Sequence, residues 1–295
     1  MDQPLKRAAA FGPLGPATAP ERALRRVLAA CHDDLLKHRR VVMASRRAEG
    51  VHQTRVALRR LRAATALFRD AVAATEAREE MRVLAREAKW LAGECAPSRD
   101  LHVFLTETAA DLPVTVRRVA NRLARSHLQR SRDALASPRF DLFVSQLAAF
   151  VDMPAPAATG RLDAFARQAL AERHRRVLRR GRKLQSFDPE RLHRLRIAIK
   201  KLRYAADFLR PAFPSRPAKA YIQATTRLQG ALGTLNDREV AHRMIADLEA
   251  AARPTEDIAR GLRRLAKQAA SGDKRRRRKL ERAWQKFGKI EPFWG

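Results

Sequence analysis

A stretch of twenty residues occurs twice in this chain, and the duplication limits its fold more than any other feature. Residues 51–70 read VHQTRVALRRLRAATALFRD, and residues 192–211 read LHRLRIAIKKLRYAADFLRP. His52, Arg55, Ala57, Leu61, Arg62, Ala64 and Arg69 recur unchanged as His193, Arg196, Ala198, Leu202, Arg203, Ala205 and Arg210, each 141 positions later. Arg59 and Arg60 return as Lys200 and Lys201, keeping their charge. A second matched block follows each copy: Leu91-Ala92-Gly93 with Asp100 and Val103, then Leu228-Gln229-Gly230 with Asp237 and Val240. Two blocks repeated in the same order imply two halves that share one supersecondary plan.

Both copies carry apolar residues at spacings of three and four, the period of an α-helix. The same period runs from Glu21 onward, and Pro and Gly fall where helices end, so the expected fold is all-α. Helices are expected near 21–46, 50–74, 76–96, 99–111, 114–136 and 139–151, then 161–184, 189–211, 217–233, 236–251, 255–270 and 273–288. The first half spans 21–151 and the second 161–290, joined by a Pro- and Ala-rich linker at 152–160. Residues 1–20, broken by Gly12, Pro13, Gly15 and Pro16, are expected to be a disordered tail. Duplicated bundles of this kind face each other about a pseudo-twofold axis.

Placed on a helix, Leu58, Leu61, Thr65 and Phe68 form one buried stripe, and Ile199, Leu202, Ala206 and Leu209 form its counterpart. Beside the first stripe stand His52, Arg55, Arg59 and Arg62, and beside the second His193, Arg196, Lys200 and Arg203. A solvated helix face mixes signs to gain pairs four residues apart, yet no carboxylate enters either row before Asp70 or Asp207. Unmixed charge costs stability, and its repetition in both halves is what a phosphate-binding surface leaves behind. The two histidines sit one turn ahead of the first arginine and can donate to phosphate, more strongly as pH falls.

The whole composition points the same way. The chain has 62 Lys and Arg against 31 Asp and Glu, a net charge of +31 and a pI near 11.6, so its partner is expected to be a polyanion. Arginine supplies 50 of the cations, and its planar fork suits bidentate contact with phosphate. Arg176, Arg180 and Lys183, in the run leading to the second copy, extend the expected surface. So do Arg173, Arg175, Arg179 and Arg182 from the same run, and Arg117, Arg118, Arg122, Arg125 and Arg130 in the first half.

The pattern VHxxRVAxRRLR at 51–62, its second form LHRLRIAIKKLRYA at 192–205, and the SRDLHV and LNDREV segments resemble the CHAD family, named for a conserved histidine in an α-helical domain. The likeness extends over about residues 21–290. It implies two antiparallel four-helix bundles around a basic central channel, inorganic polyphosphate as ligand, and association with polyphosphate granules. It also implies that His52, Arg55, Arg59, Arg60 and Arg62, with His193, Arg196, Lys200, Lys201 and Arg203, are the binding positions. Arg99 and Asn236 differ between the matched segments, so no ligand role passes to Asn236. The ExExK strand of the triphosphatase domains fused to some members is absent from the sequence.

Two rival functions are weaker. Non-specific nucleic-acid binding suits the charge, but aromatics make up 6% of the chain and none is interleaved among the rail positions to stack bases. A phosphate-processing enzyme needs a GxxxxGK[ST] loop, an HExxH pair or clustered carboxylates for divalent ions, and the sequence has none. Asp100 and Asp237 are read as helix caps or as partners that orient arginines. No catalytic residue, metal or cofactor is expected. Cys31 and Cys95 lack metal or redox spacing, and no apolar run reaches the roughly 18 residues of a membrane span, so a cytoplasmic protein is expected.

Overall fold

The computed structural model describes residues 7–72, 74–107, 112–153, 160–270 and 273–295. It is all-α, with no strand among the described residues. The helices are α1 Arg7–Ala10, α2 Pro20–Ala44, α3 Ala48–Phe68, α4 Thr75–Glu94, α5 Ala96–Glu107, α6 Val114–Ala136 and α7 Pro138–Asp152. They continue as α8 Leu162–Gly181, α9 Pro189–Leu209, α10 Ser215–Ala251, α11 Glu256–Ala270 and α12 Asp273–Gly288. Pro20, Pro138 and Pro189 open their helices, where a missing N–H costs nothing. The Asp188 carboxylate caps α9 by accepting from the Arg191 N–H at 2.8 Å.

The expected stripes are buried: Leu58, Leu61, Phe68, Ile199, Leu202, Ala206 and Leu209 have no exposed surface and Thr65 keeps 5%. Helix α2 packs on α3 and α7, α3 on α4, and α4 on α7, while α8 packs on α9, and α10 on both α9 and α12. Helices α3 and α9 touch directly, and the Phe68 and Phe165 rings stack 5.3 Å apart to bring α8 against the end of α3. A smaller core, with Leu101, Phe104, Val116, Met244, Leu248 and Leu265, lies where α5 and α6 meet α11 and the C-terminal part of α10. Each repeated helix ends in a 3-10 turn, Arg69–Ala71 after α3 and Arg210–Ala212 after α9.

Two expectations fail here. The described part of the segment before Pro20, residues 7–19, packs on the body of the protein. Phe11 and Leu14 pack against the core, and the Leu162 and Asp163 N–H groups donate to the carbonyls of Thr18 and Pro16. Gly12, at φ 62, turns the chain where a side chain would strain it, so these Gly and Pro residues shape a packed strap. Second, the helices expected at 217–233 and 236–251 form one, α10, because an interior glycine costs only about 1 kcal/mol and each end of α10 is held in a different core. Of the expected linker, 154–159 lies outside the described residues. No described helix is long and apolar enough to cross a membrane.

Candidate functional site

Turning the two stripes into the core leaves the neighbouring cations of α3 and α9 on one open side, and α8 closes a third wall. The resulting cleft has a volume of about 390 Å³. Arg59 and Arg62 line it from α3, Arg173, Arg176 and Arg180 from α8, and Lys200 and Lys201 from α9. Glu172 is the carboxylate in its lining, and it is held by Arg176 at 2.8 Å. Tyr204 contributes to the wall but is only 5% exposed, so it offers no ring face for a base.

The electrostatics record how closely the two rows approach. Lys200 is pushed down to about 8 by burial first, and then by the positive charges of Arg59, Arg196, Arg55 and Arg62. Its charge is therefore opposed by cations from both copies of the repeat. Burial likewise lowers Arg55 and Arg173 below the ordinary guanidinium value. The Nε groups of Arg55 and Arg59 are buried without a hydrogen-bond partner. His52 is held below the usual imidazole value by burial, then by Arg99, with Arg59 and Arg55 adding to the effect against Glu49.

Not every expected binding position reaches the cleft. Arg60 turns away, pairing with Asp207 at 2.9 Å and lying 5.2 Å over the Phe208 ring, where it fastens α3 to α9. Arg203 is spent on Gln229, at 2.8 Å, and on the Tyr204 ring. Lys183 lies exposed beyond the end of α8, and His193 is exposed at the start of α9, both outside the lining. His52, Arg55 and Arg196 do not line the cleft, although the charges of Arg55 and Arg196 act on Lys200 and that of Arg59 acts on His52. Arg55 donates to the Ala92 carbonyl at 2.8 Å and approaches Asp100 to 3.9 Å, so Asp100, inside α5 and not at its start, acts as an arginine partner and not as a cap. The side chain of Asp237 lies outside the described residues.

Sequence reasoning placed Arg173 only among the cations that could extend the surface and gave Arg99 no part in it. Arg173 lines the cleft, and its spacing of three and seven from Arg176 and Arg180 puts all three on one helix face. Arg99 bears on the charge of His52 and Arg55 from α5, and only tertiary packing places it there.

Fold and cleft together define an all-helical protein with a concentrated cationic site. The family model for the CHAD domain matches residues 26–246, and the chain belongs to the CHAD family. The crystal structure of the CHAD domain from the plant Ricinus communis is similar over 95% of each chain, with 25% identity and a TM-score of 0.82. PptA from Streptomyces chartreusis shares the fold, with 17% identity and a TM-score of 0.64 over 92% of this chain and 100% of that one. No curated protein matches the chain.

Proposed function

We propose that the chain binds inorganic polyphosphate, without turning it over, in the cleft between α3, α8 and α9. The cleft then forms part of a basic channel between two pseudo-twofold-related four-helix bundles, α2, α3, α4 and α7 facing α8, α9, α12 and the N-terminal part of α10. The observation that carries the proposal is Lys200 in the cleft wall, a cation opposed by four guanidinium groups from both repeats, with no carboxylate paired to it among the described residues. A linear phosphate chain provides that offset at every repeat and needs no space for a base. The lack of an exposed ring in the lining favours it over nucleic acid. A binder is favoured over a hydrolase because the cleft's carboxylate, Glu172, is engaged by Arg176. Granule association in the cytoplasm is the setting that such a ligand implies.

The test is a competition titration of long-chain polyphosphate, RNA, DNA and ATP at about 0.15 M salt, since low salt inflates every polyanion's affinity. Long-chain polyphosphate is expected to bind at least about tenfold more tightly than the others, with log K falling linearly against log salt. RNA or DNA binding as tightly as polyphosphate would overturn the assignment. Phosphate release from polyphosphate in magnesium or manganese would overturn its non-catalytic part.

A further inference from the structure

Lys200 and Lys201 are neighbours in sequence with different surroundings. Lys201 is exposed, whereas Lys200 is half-buried in the wall of the cleft. Arg59 and Arg62 from α3, Arg173, Arg176, Arg180 and Glu172 from α8, and Lys201 line the same cleft wall as Lys200. Arg59, Arg196, Arg55 and Arg62 oppose its charge, and among the described residues no carboxylate pairs with it. An amine desolvated among cations reaches its neutral, nucleophilic form far more readily than a surface lysine. The same guanidinium groups gather small phosphate-bearing anions and orient them by bidentate contact. The cleft thus joins an anion-collecting wall to an amine able to attack what is collected.

We propose that Lys200 is an acylation site for acyl phosphates, whose phosphoryl group the cleft arginines hold while the Lys200 amine attacks the acyl carbon. The Nζ lone pair forms the new C–N bond, and the acyl C–O bond to phosphate breaks. Inorganic phosphate leaves with that electron pair, and the surplus amine proton passes to water. No electron transfer is involved. The product is a neutral amide, so the cleft loses one cation. A bound phosphate chain opposes the reaction twice, by occupying the arginines and by stabilising the Lys200 ammonium. This regulatory consequence rests on the polyphosphate assignment, whereas the chemistry at Lys200 does not.

The experiment treats the full chain with acetyl phosphate near pH 7.5 and reads acetyl occupancy at each lysine by peptide mass spectrometry, with and without long-chain polyphosphate. At that pH an amine titrating near 8 is neutral on the order of 100 times more often than an ordinary lysine near 10.4. Since the less basic amine is also the weaker nucleophile, acetylation at Lys200 is expected to outrun Lys201 by at least about tenfold, and to level off above about pH 8. A neutral N-hydroxysuccinimidyl acetate should show a smaller preference, and Arg59→Gln with Arg62→Gln should slow Lys200 acetylation several-fold. Equal labelling at Lys200 and Lys201, or a preference no larger with acetyl phosphate than with the neutral ester, overturns the proposal. Selective labelling that polyphosphate fails to suppress upholds the reactive lysine and counts against the polyphosphate assignment. A fall in polyphosphate binding by Arg59→Gln with Arg62→Gln, alongside unselective labelling, does the reverse.

Discussion

At Lys200 the folded chain keeps an ammonium where burial and four guanidinium groups oppose it, and that opposition has a sign that can be measured. The folded-state value, about 8, lies below the unfolded value near 10.4, so protonated Lys200 destabilises the empty protein. The cost is fully present below about pH 8 and vanishes as pH rises past the unfolded value. Replacing Lys200 by Met, which keeps the length of the stem, should therefore stabilise the ligand-free protein by about 1–3 kcal/mol at pH 7 in urea unfolding. A destabilised variant would contradict the cause given for the shift. If polyphosphate binds in the cleft as proposed, its charge would raise the Lys200 value and reverse the sign. Its contribution to polyphosphate affinity should be complete below about pH 8 and fade as pH rises above it, in the parent and not in Lys200→Met. Arg59 and Arg60 illustrate what the sequence could not supply here. They are adjacent and alike, yet one helical step of about 100° sends Arg59 into the cleft and Arg60 to Asp207 on another helix. Which arginine finds the carboxylate depends on how α3 lies against α9, and no local pattern encodes that.

Helix α8 is the element that turns two rows of cations into a walled cleft, and its position is held at both ends. Phe165 stacks on Phe68 near its start, and Gly181 at its end lies so close to Trp284 of α12 that a Cβ there would stand 1.9 Å from the ring's Cη2. Gly181→Ala should force α8 and α12 apart, costing about 1–3 kcal/mol as other overpacking changes do. The measurable result is a melting temperature lower by several degrees and weaker polyphosphate binding from the displaced Arg173, Arg176 and Arg180. An unchanged melting temperature would contradict the close packing. The helical periodicity made α3 and α9, their buried stripes and most helix boundaries legible in advance, although α3 ends at Phe68 and not at the expected 74. It missed the continuity of α10, since Gly233 reads locally as a helix end while two separate cores hold the helix on either side of it. It also left α8 as an accessory surface, because a helix with cations on several faces does not disclose which face meets a neighbour.

At the scale of the whole molecule, the cleft draws cations from both copies of one sequence, Arg59 and Arg62 from the first and Lys200 and Lys201 from the second. Arg55 and Arg196, homologous in the repeat, both bear on Lys200, Arg55 from α3 and Arg196 from one turn earlier on α9 itself. If one phosphate chain spans both rows, the second engagement is intramolecular, and each row should matter far more to a long chain than to pyrophosphate. Arg55 is unsuitable for testing this, because it is 19% exposed and bonded to the Ala92 carbonyl, so its loss would disturb α4 as well. Arg59 with Arg62 on α3, and Arg196 with Lys201 on α9, leave the buried stripes intact. The decisive measurement is a titration of long-chain polyphosphate at about 0.15 M salt against the parent, Arg59→Glu with Arg62→Glu, and Arg196→Glu with Lys201→Glu, each checked for helicity by circular dichroism. Both double variants should stay helical and lose at least about tenfold in long-chain affinity, with a shallower salt dependence and a much smaller loss for pyrophosphate. Either variant remaining helical and binding long chains as tightly as the parent would contradict a single phosphate chain held between the two repeats.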